Sequence, residues 1–360
     1  MAEEDTSFSR LREERLIRGW TQKDVADRIG VHSQEIGRWE RGATLPQPRQ
    51  LAELCKLFNK TPQELELIRG TSREEYALNG QQSSIFPFNE QLVNRRALYG
   101  RRRERHKLID RTHKGASTSI VGARRIGKTW LVKYLGLVAS QELGPHFRIG
   151  YLDATLPGCS TVAGFAQEAL KQLDLPVPAT PTGLVDLQHG LQALTAEGEI
   201  PVLCIDEFEY FSKLPNEFNA TFYQGLRAMT QQTPPLVLVV VTRRPLYQVL
   251  SRDNQDARDV DQETSLFFNI FEQITLKPFN YDEADQFIRE KSREASFTKE
   301  ETAYLWQYAK EGEKQWPPIL LQIVGKMLLE DKQQQVKKDQ HYRQHFEQRL
   351  AETRKGLGRI

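Results

Sequence analysis

Gly122-Ala123-Arg124-Arg125-Ile126-Gly127-Lys128-Thr129 sets two glycines, a lysine and a hydroxyl at the spacing G-x-x-x-x-G-K-[ST]. That spacing suits chemistry at phosphates. The glycines let successive N–H groups of Ala123, Arg124, Arg125 and Ile126 point into one ring, and a following helix adds the positive end of its dipole. Lys128 is placed to reach the β- and γ-phosphates of a bound nucleotide, Thr129 to bind Mg²⁺, and Trp130 extends the stretch into the helix. The context agrees, because STSIV ahead of Gly122 reads as strand and WLVKYLGLVA after Thr129 as helix. Further along, the apolar Val202-Leu-Cys-Ile205 ends in Asp206 and Glu207. Such an acid pair can merely cap a helix, or it can serve the same nucleotide. In the second role Asp206 holds Mg²⁺ through water, and Glu207 orients and deprotonates the attacking water. The loop upstream favours the second role, and the expected cofactors are ATP and Mg²⁺.

The acid pair resembles the Walker B element of P-loop ATPases. The next apolar run, Leu236 to Val241, ends in Thr242-Arg243-Arg244. Here the chain is similar to the STAND branch of the AAA+-related P-loop ATPases, including archaeal-type members. The resemblance implies that Arg243 senses the γ-phosphate. It extends to Tyr99-Gly100-Arg101 with Glu104, like the family's segment ahead of the phosphate loop, and Arg101 is expected to bond the nucleotide or neighbouring loops. Phe267 to Pro278 resembles the end of the ATPase core. Trp316-Pro317-Pro318-Ile-Leu-Leu321-Gln322 resembles a segment whose proline, here Pro318, packs near the adenine, with Trp316 where the family usually has glycine. The implied activity is slow hydrolysis of ATP to ADP and phosphate.

Strands and helices must alternate to bring these residues together. STSIVG, FRIGYLD, IPVLCID and LVLVVVT are rich in Val and Ile and are separated by helical patterns. That alternation predicts a parallel sheet covered on both faces, over residues 92–280. Helical periodicity returns over 281–330, a helical lid subdomain in which Phe287, Trp306 and Tyr281 are core candidates. The tail, 331–360, is polar and basic and reads as a solvated helix with a frayed end. Residues 69–91 are turn-rich and read as a linker.

Ahead of the linker, residues 7–68 read as short helices with tight turns. Thr21 caps a helix with Asp24 in its first turn. Val25, Ala26 and Ile29 share one face, and Gly30 permits the turn into Ser33–Gly42, whose Ile36 and Trp39 point inward. The Thr-Gln opening and Trp-Glu-Arg-Gly ending resemble the Cro and phage-repressor (XRE-type) helix-turn-helix family, with five helices. The resemblance implies that Ser33, Gln34 and Glu35 face bases in the major groove, that Arg38 meets bases or phosphate, and that Gln22 bonds a phosphate. The fold class expected is therefore multidomain: an all-α head, an α/β P-loop core with parallel sheet, and a C-terminal helical subdomain.

Composition bounds the partners. Hydrophobic residues make up 39% of the 360, enough for sizeable cores, and net charge is only +2. The first 68 residues carry 11 Lys or Arg against 12 Asp or Glu, so the head is not a strongly basic module. Basic residues crowd instead at 92–114, nine against two acids, which either grip phosphate backbone or form a solvated helix face. The longest apolar run is far short of the ~20 residues that span a bilayer. Three scattered cysteines, Cys55, Cys159 and Cys204, fit no disulfide or zinc pattern, which suits the cytoplasm. The expected partners are double-stranded DNA, further copies of the chain in the ATP state, and a protein supplying signal or output; no membrane is expected. The reading that joins these is an ATP-driven switch that binds DNA through its head. The rivals are an ATPase that loads partners on DNA, a defence ATPase, and a repressor whose nucleotide site is only structural.

Overall fold

The computed structural model describes residues 10–40, 44, 46–58, 60, 65, 67, 84–250, 266–337 and 341–356. The chain divides into two compact units, residues 1–83 and 84–360. Arg41 and Gly42, most of the expected fifth head helix, residues 69–83 of the expected linker and the end of the tail lie outside the described residues.

The first unit holds α1 (Arg10–Ile17), α2 (Gln22–Ile29), α3 (Ser33–Glu40) and α4 (Pro48–Phe58). Thr21 and Asp24 close a reciprocal capping box on α2, and Gly30 ends that helix at φ 70°. Leu11, Val25, Ala26, Ile36, Trp39, Leu54, Phe58, Leu65 and Leu67 form its core. Glu40 is buried and spends its charge inside the unit. It accepts from Arg15 Nε at 2.6 Å and from Gln22 Nε2 at 2.7 Å.

The second unit is built on five parallel strands: β1 (Thr118–Val121), β2 (Phe147–Asp153), β3 (Ile200–Asp206), β4 (Val237–Thr242) and β5 (Glu272–Thr275). Their spatial order is β2-β3-β4-β1-β5. Helices α5 (Arg102–His113), α6 (Lys128–Glu142), α7 (Val162–Gln172), α8 (Leu184–Ala196), α9 (Ala220–Thr230) and the short α10 (Leu246–Leu250) surround the sheet. Because both faces are covered, the strands read as unbroken apolar runs rather than alternating ones. In β4, Leu238 and Val240 enter the core on one face, with Phe165, Phe208 and Phe222. Val237, Val239 and Val241 enter the other, with Leu131, Val132 and Leu135 of α6. Each fully buried aliphatic chain contributes roughly 1.5–3 kcal/mol.

The four strands expected from sequence form, and β5 is additional. Only Ile274 of β5 is buried, so its pattern carried no apolar signal.

Helices α11 (Tyr281–Glu294), α12 (Lys299–Tyr308), α13 (Pro318–Gln333) and α14 (Tyr342–Gly356) make a helical subdomain with its own core. Three expectations change here. Residues 84–91, read as linker, belong to this unit: Phe86 is fully buried, stacked on Phe297 at 5.7 Å. The tail helix is not merely solvated, because α14 buries Tyr342, Phe346 and Leu350 at four-residue spacing. The buried Asp331 holds it, accepting from Tyr342 Oη at 2.8 Å and Arg349 Nη1 at 2.6 Å. Phe287 is core as expected, whereas Tyr281 is 59% exposed and stacks on half-buried Trp306.

Candidate functional site

The carboxyl ends of β3, β4 and β1 lie side by side, where ligands of open parallel sheets bind. A cleft of ≈ 520 Å³ opens there within the second unit. Its lining includes Arg124, Arg125, Ile126, Gly127, Lys128, Thr129 and Trp130, together with Arg101, Glu207 and Pro318. The residues selected for a nucleotide are therefore brought together.

The loop after β1 takes its shape from its glycines. A Cβ at Gly122 would lie 2.9 Å from the Leu276 carbonyl oxygen. Gly127 sits at φ 99°, which L side chains rarely adopt. Lys128 begins α6 and folds back over the loop, donating from Nζ to the carbonyls of Gly122 (2.9 Å) and Ala123 (2.8 Å). Burial lowers its pKa, since a charged ammonium loses hydration there. Arriving phosphates would relieve that cost.

Thr129 Oγ1 donates to Asp206 Oδ2 at 2.6 Å, which leaves the hydroxyl oxygen's lone pairs for a cation. Tyr151 of β2 also donates to Asp206 Oδ2, at 2.9 Å, and burial beside that carboxylate raises the phenol's pKa. The other Asp206 oxygen accepts the N–H of Glu207. Glu207 has φ 48° and closes β3 in the left-handed region, so its carboxylate leaves the strand toward the cleft. There Arg243, just past β4, donates to Glu207 Oε2 at 2.9 Å. Its Nε lies 3.3 Å from Glu209 Oε1. Burial raises the pKa of Glu209. Thr242 turns away and donates to the Arg244 carbonyl.

Arg101 is buried at φ 60° and donates from Nη2 to the Ile126 carbonyl at 3.1 Å. Its N–H donates to Glu283 Oε1 of α11 at 2.7 Å. Pro318 opens α13 beside the loop, with Ile319 and Gln322 also facing the cleft. Gln322 Oε1 is buried without a partner among the described residues. It is an acceptor waiting for a donor, which suits the exocyclic amine of an adenine. Trp316, at the family's usual glycine position, packs against Trp306 at 5.2 Å in the helical core. Sequence reasoning missed Tyr151, Glu209 and Gln322 as site residues. Tyr151 carried one signal, a polar aromatic two residues before the end of a strand that pairs with β3.

These residues fit a nucleoside triphosphate. Among the described residues no group of three His, Cys, Asp or Glu could hold a metal alone. Mg²⁺ at Thr129 and Asp206 would complete its shell with phosphate oxygens and water.

In the first unit, Gln34 and Arg38 of α3 are exposed, while Ser33 and Glu35 are half-buried. Gln22, expected at a phosphate, is half-buried and donates to Glu40.

Comparison with known proteins agrees with this division. Residues 11–65 match the family model described as helix-turn-helix, and residues 111–250 match the one described as AAA domain. The chain thus carries an XRE-type helix-turn-helix domain, a DNA-binding fold, followed by an AAA-type P-loop ATPase domain. Among solved structures, it is similar to a Walker-type ATPase of Pyrococcus abyssi at 17% identity and a TM-score of 0.54, covering 76% of this chain and 77% of that one. The Aeropyrum pernix ORC2 protein, in ADPNP–ADP complexes, is 15% identical with a TM-score of 0.45, covering 71% and 74%. No curated protein matches the chain. Among the described residues no helix is long and apolar enough to cross a membrane.

Proposed function

We propose that the chain binds ATP with Mg²⁺ in this cleft, hydrolyses it slowly, and uses nucleotide state to set how copies assemble on double-stranded DNA held by the helix-turn-helix head. The observation that carries the reading is the Glu207–Arg243 pair beside Lys128 and the Thr129–Asp206 bond, in one cleft. On nucleotide binding, Lys128 exchanges the Gly122 and Ala123 carbonyls for β- and γ-phosphate oxygens. Arg243 exchanges Glu207 for the γ-phosphate. Glu207, so released, takes the proton of the attacking water as its oxygen bonds to the γ-phosphorus, and ADP leaves. Mg²⁺, held through Thr129 and Asp206, would neutralise charge developing on the phosphates. The reading keeps the STAND-like switch that the resemblance at Thr242-Arg243 implies, on an AAA-type core.

The helix-turn-helix supports the DNA half of the reading, and its balanced charge is why assembly matters. Arg15 and Arg18 are paired with Glu40 and Glu14. A single head would therefore bind weakly, and linking copies raises effective concentration.

Light scattering and fluorescence anisotropy with duplex DNA, in ADP, ATP or a non-hydrolysable analogue, test the proposal with wild type and Lys128→Ala. ATP should enlarge the wild-type assembly and tighten DNA binding, and the variant should do neither. Equal DNA affinity in both proteins under every nucleotide would refute the switch and leave a repressor beside an independent ATPase. Sequence-independent coating of DNA in ATP would favour a loader of partners instead.

A further inference from the structure

The second unit carries exposed arginines, close together in the chain, that the nucleotide site does not use. Of the basic residues between 92 and 114, several are engaged within the fold. Arg101 bonds Ile126, Lys107 and Arg111 pair with Glu272, and Lys114 pairs with Asp110. Arg105 lies over the ring of Tyr134. Arg96, Arg102 and Arg103 differ. All three are exposed, and among the described residues none of their side chains has a hydrogen bond, ion pair or ring contact; Arg96 bonds only through its backbone N–H, to Asn94. The nearby acids are committed elsewhere, Glu104 toward Arg101 and Asp110 to Lys114.

Folding does not select this arrangement. Arg102 and Arg103 occupy the first turn of α5, where cations oppose the helix dipole, and adjacent like charges repel. Residues that break a local rule without gain to the fold point to function. Arginine forks without carboxylates match phosphate oxygens, which they can grip in pairs.

The partner follows from the rest of the chain. The first 68 residues are balanced in charge, and part of their basic complement is paired internally: Arg15 to Glu40, Arg18 and Lys60 to Glu14, Lys56 to Glu53. Phosphate contacts supply a large share of a DNA reader's affinity and fix its register, while base contacts select the sequence. We infer that Arg96, Arg102 and Arg103 form a second, sequence-independent contact to the phosphate backbone of the duplex DNA that the head selects. The inference rests on the DNA-binding half of the proposed function. The position of Arg102 and Arg103 is informative, because they follow directly on Arg101, whose side chain bonds the phosphate loop.

The test uses the full chain and two duplexes, one selected for binding and one scrambled, titrated across salt concentrations. The variants are Arg102→Gln with Arg103→Gln, the charge-keeping Arg102→Lys with Arg103→Lys, and the head variant Gln34→Ala with Arg38→Ala. Losing two phosphate contacts should reduce the salt slope by about two and weaken binding roughly 10–60-fold at 0.1 M salt. The loss should be equal on both duplexes, the lysine pair should restore the slope, and DNA-free ATP turnover should not change. The head variant should instead erase the preference for the selected duplex. A glutamine variant with wild-type slope overturns the inference while leaving the head's DNA binding intact. Wild-type protein that binds neither duplex overturns the proposed function itself. A glutamine variant that binds duplex DNA normally but loses RNA or self-association assigns the patch to that other partner and also overturns the inference.

Discussion

Glu207→Gln separates the two duties that the structure gives one carboxylate. Glu207 accepts from Arg243 at 2.9 Å, with side chains 34% and 45% exposed. Solvent screens a pair so exposed, and its strength is about 0.2–1 kcal/mol. ATP must displace that contact before Arg243 can meet the γ-phosphate. Glutamine keeps the shape and loses the charge, so Arg243 is released at less cost. ATP affinity should rise by up to about fivefold. Turnover should fall by roughly 10²-fold or more, since the base is gone. Equilibrium binding of a fluorescent ATP analogue and single-turnover hydrolysis read the two effects separately. Undiminished turnover would show that Glu207 is not the base. Turnover that falls while ATP binds more weakly would refute the shared-arginine reasoning, because it would mean Glu207 holds Arg243 in its productive position rather than away from it.

Phe86→Ala should cost about 3–5 kcal/mol, because the ring is fully buried between Phe287 and Phe297. ATP should also bind less well, since Pro87, Asn89 and Glu90 line the cleft; an unchanged melting temperature would return residues 84–91 to the status of a linker. Glu272 lies between Lys107 and Arg111, whose hydrogen bonds and charges lower its pKa below the ordinary 4.5. A carboxylate depressed in the folded state stabilises above its unfolded pKa and loses that contribution as pH falls through the folded one. Wild type should therefore melt higher than Glu272→Gln at neutral pH, and the gap should close as pH drops below about 4.5; a gap independent of pH would refute the assignment.

Much of the site was legible because the phosphate loop and the acid pair are local patterns. Gly122 to Thr129 and Asp206-Glu207 need only a strand before them, and a buried parallel strand announces itself as an apolar run. The residues that went unseen act across the fold. Tyr151 reaches Asp206 only because β2 and β3 pair in a register that places Asp153 beside Asp206. Glu209 gains its role from burial and from Arg243, some thirty residues away. Phe86 looked like part of a turn-rich stretch because its short apolar run, Ile85 to Phe88, holds a proline and follows a polar segment, and only the helical core it fills gives it meaning. The same holds for α14, whose stripe of Tyr342, Phe346 and Leu350 is too narrow to stand out in a basic tail. Tyr281 shows the opposite error, an aromatic taken for core that stacks on the surface.

Arg101 has a consequence for how this protein can be rebuilt. Its N–H meets Glu283 Oε1, while the other oxygen of the same carboxylate accepts the N–H of Asn280 and closes the capping box that starts α11. Its guanidinium meets Ile126 in the phosphate loop. One residue thus splices the loop to the first turn of the helical subdomain, and the splice has no slack. A chimera that grafts another helical subdomain onto this core must carry the partner of Arg101 with it. Without Glu283 the N–H groups of Arg101 and Asn280 would lose their acceptor and the buried guanidinium would keep Glu104 alone as counter-charge, so core and subdomain are joined through one carboxylate.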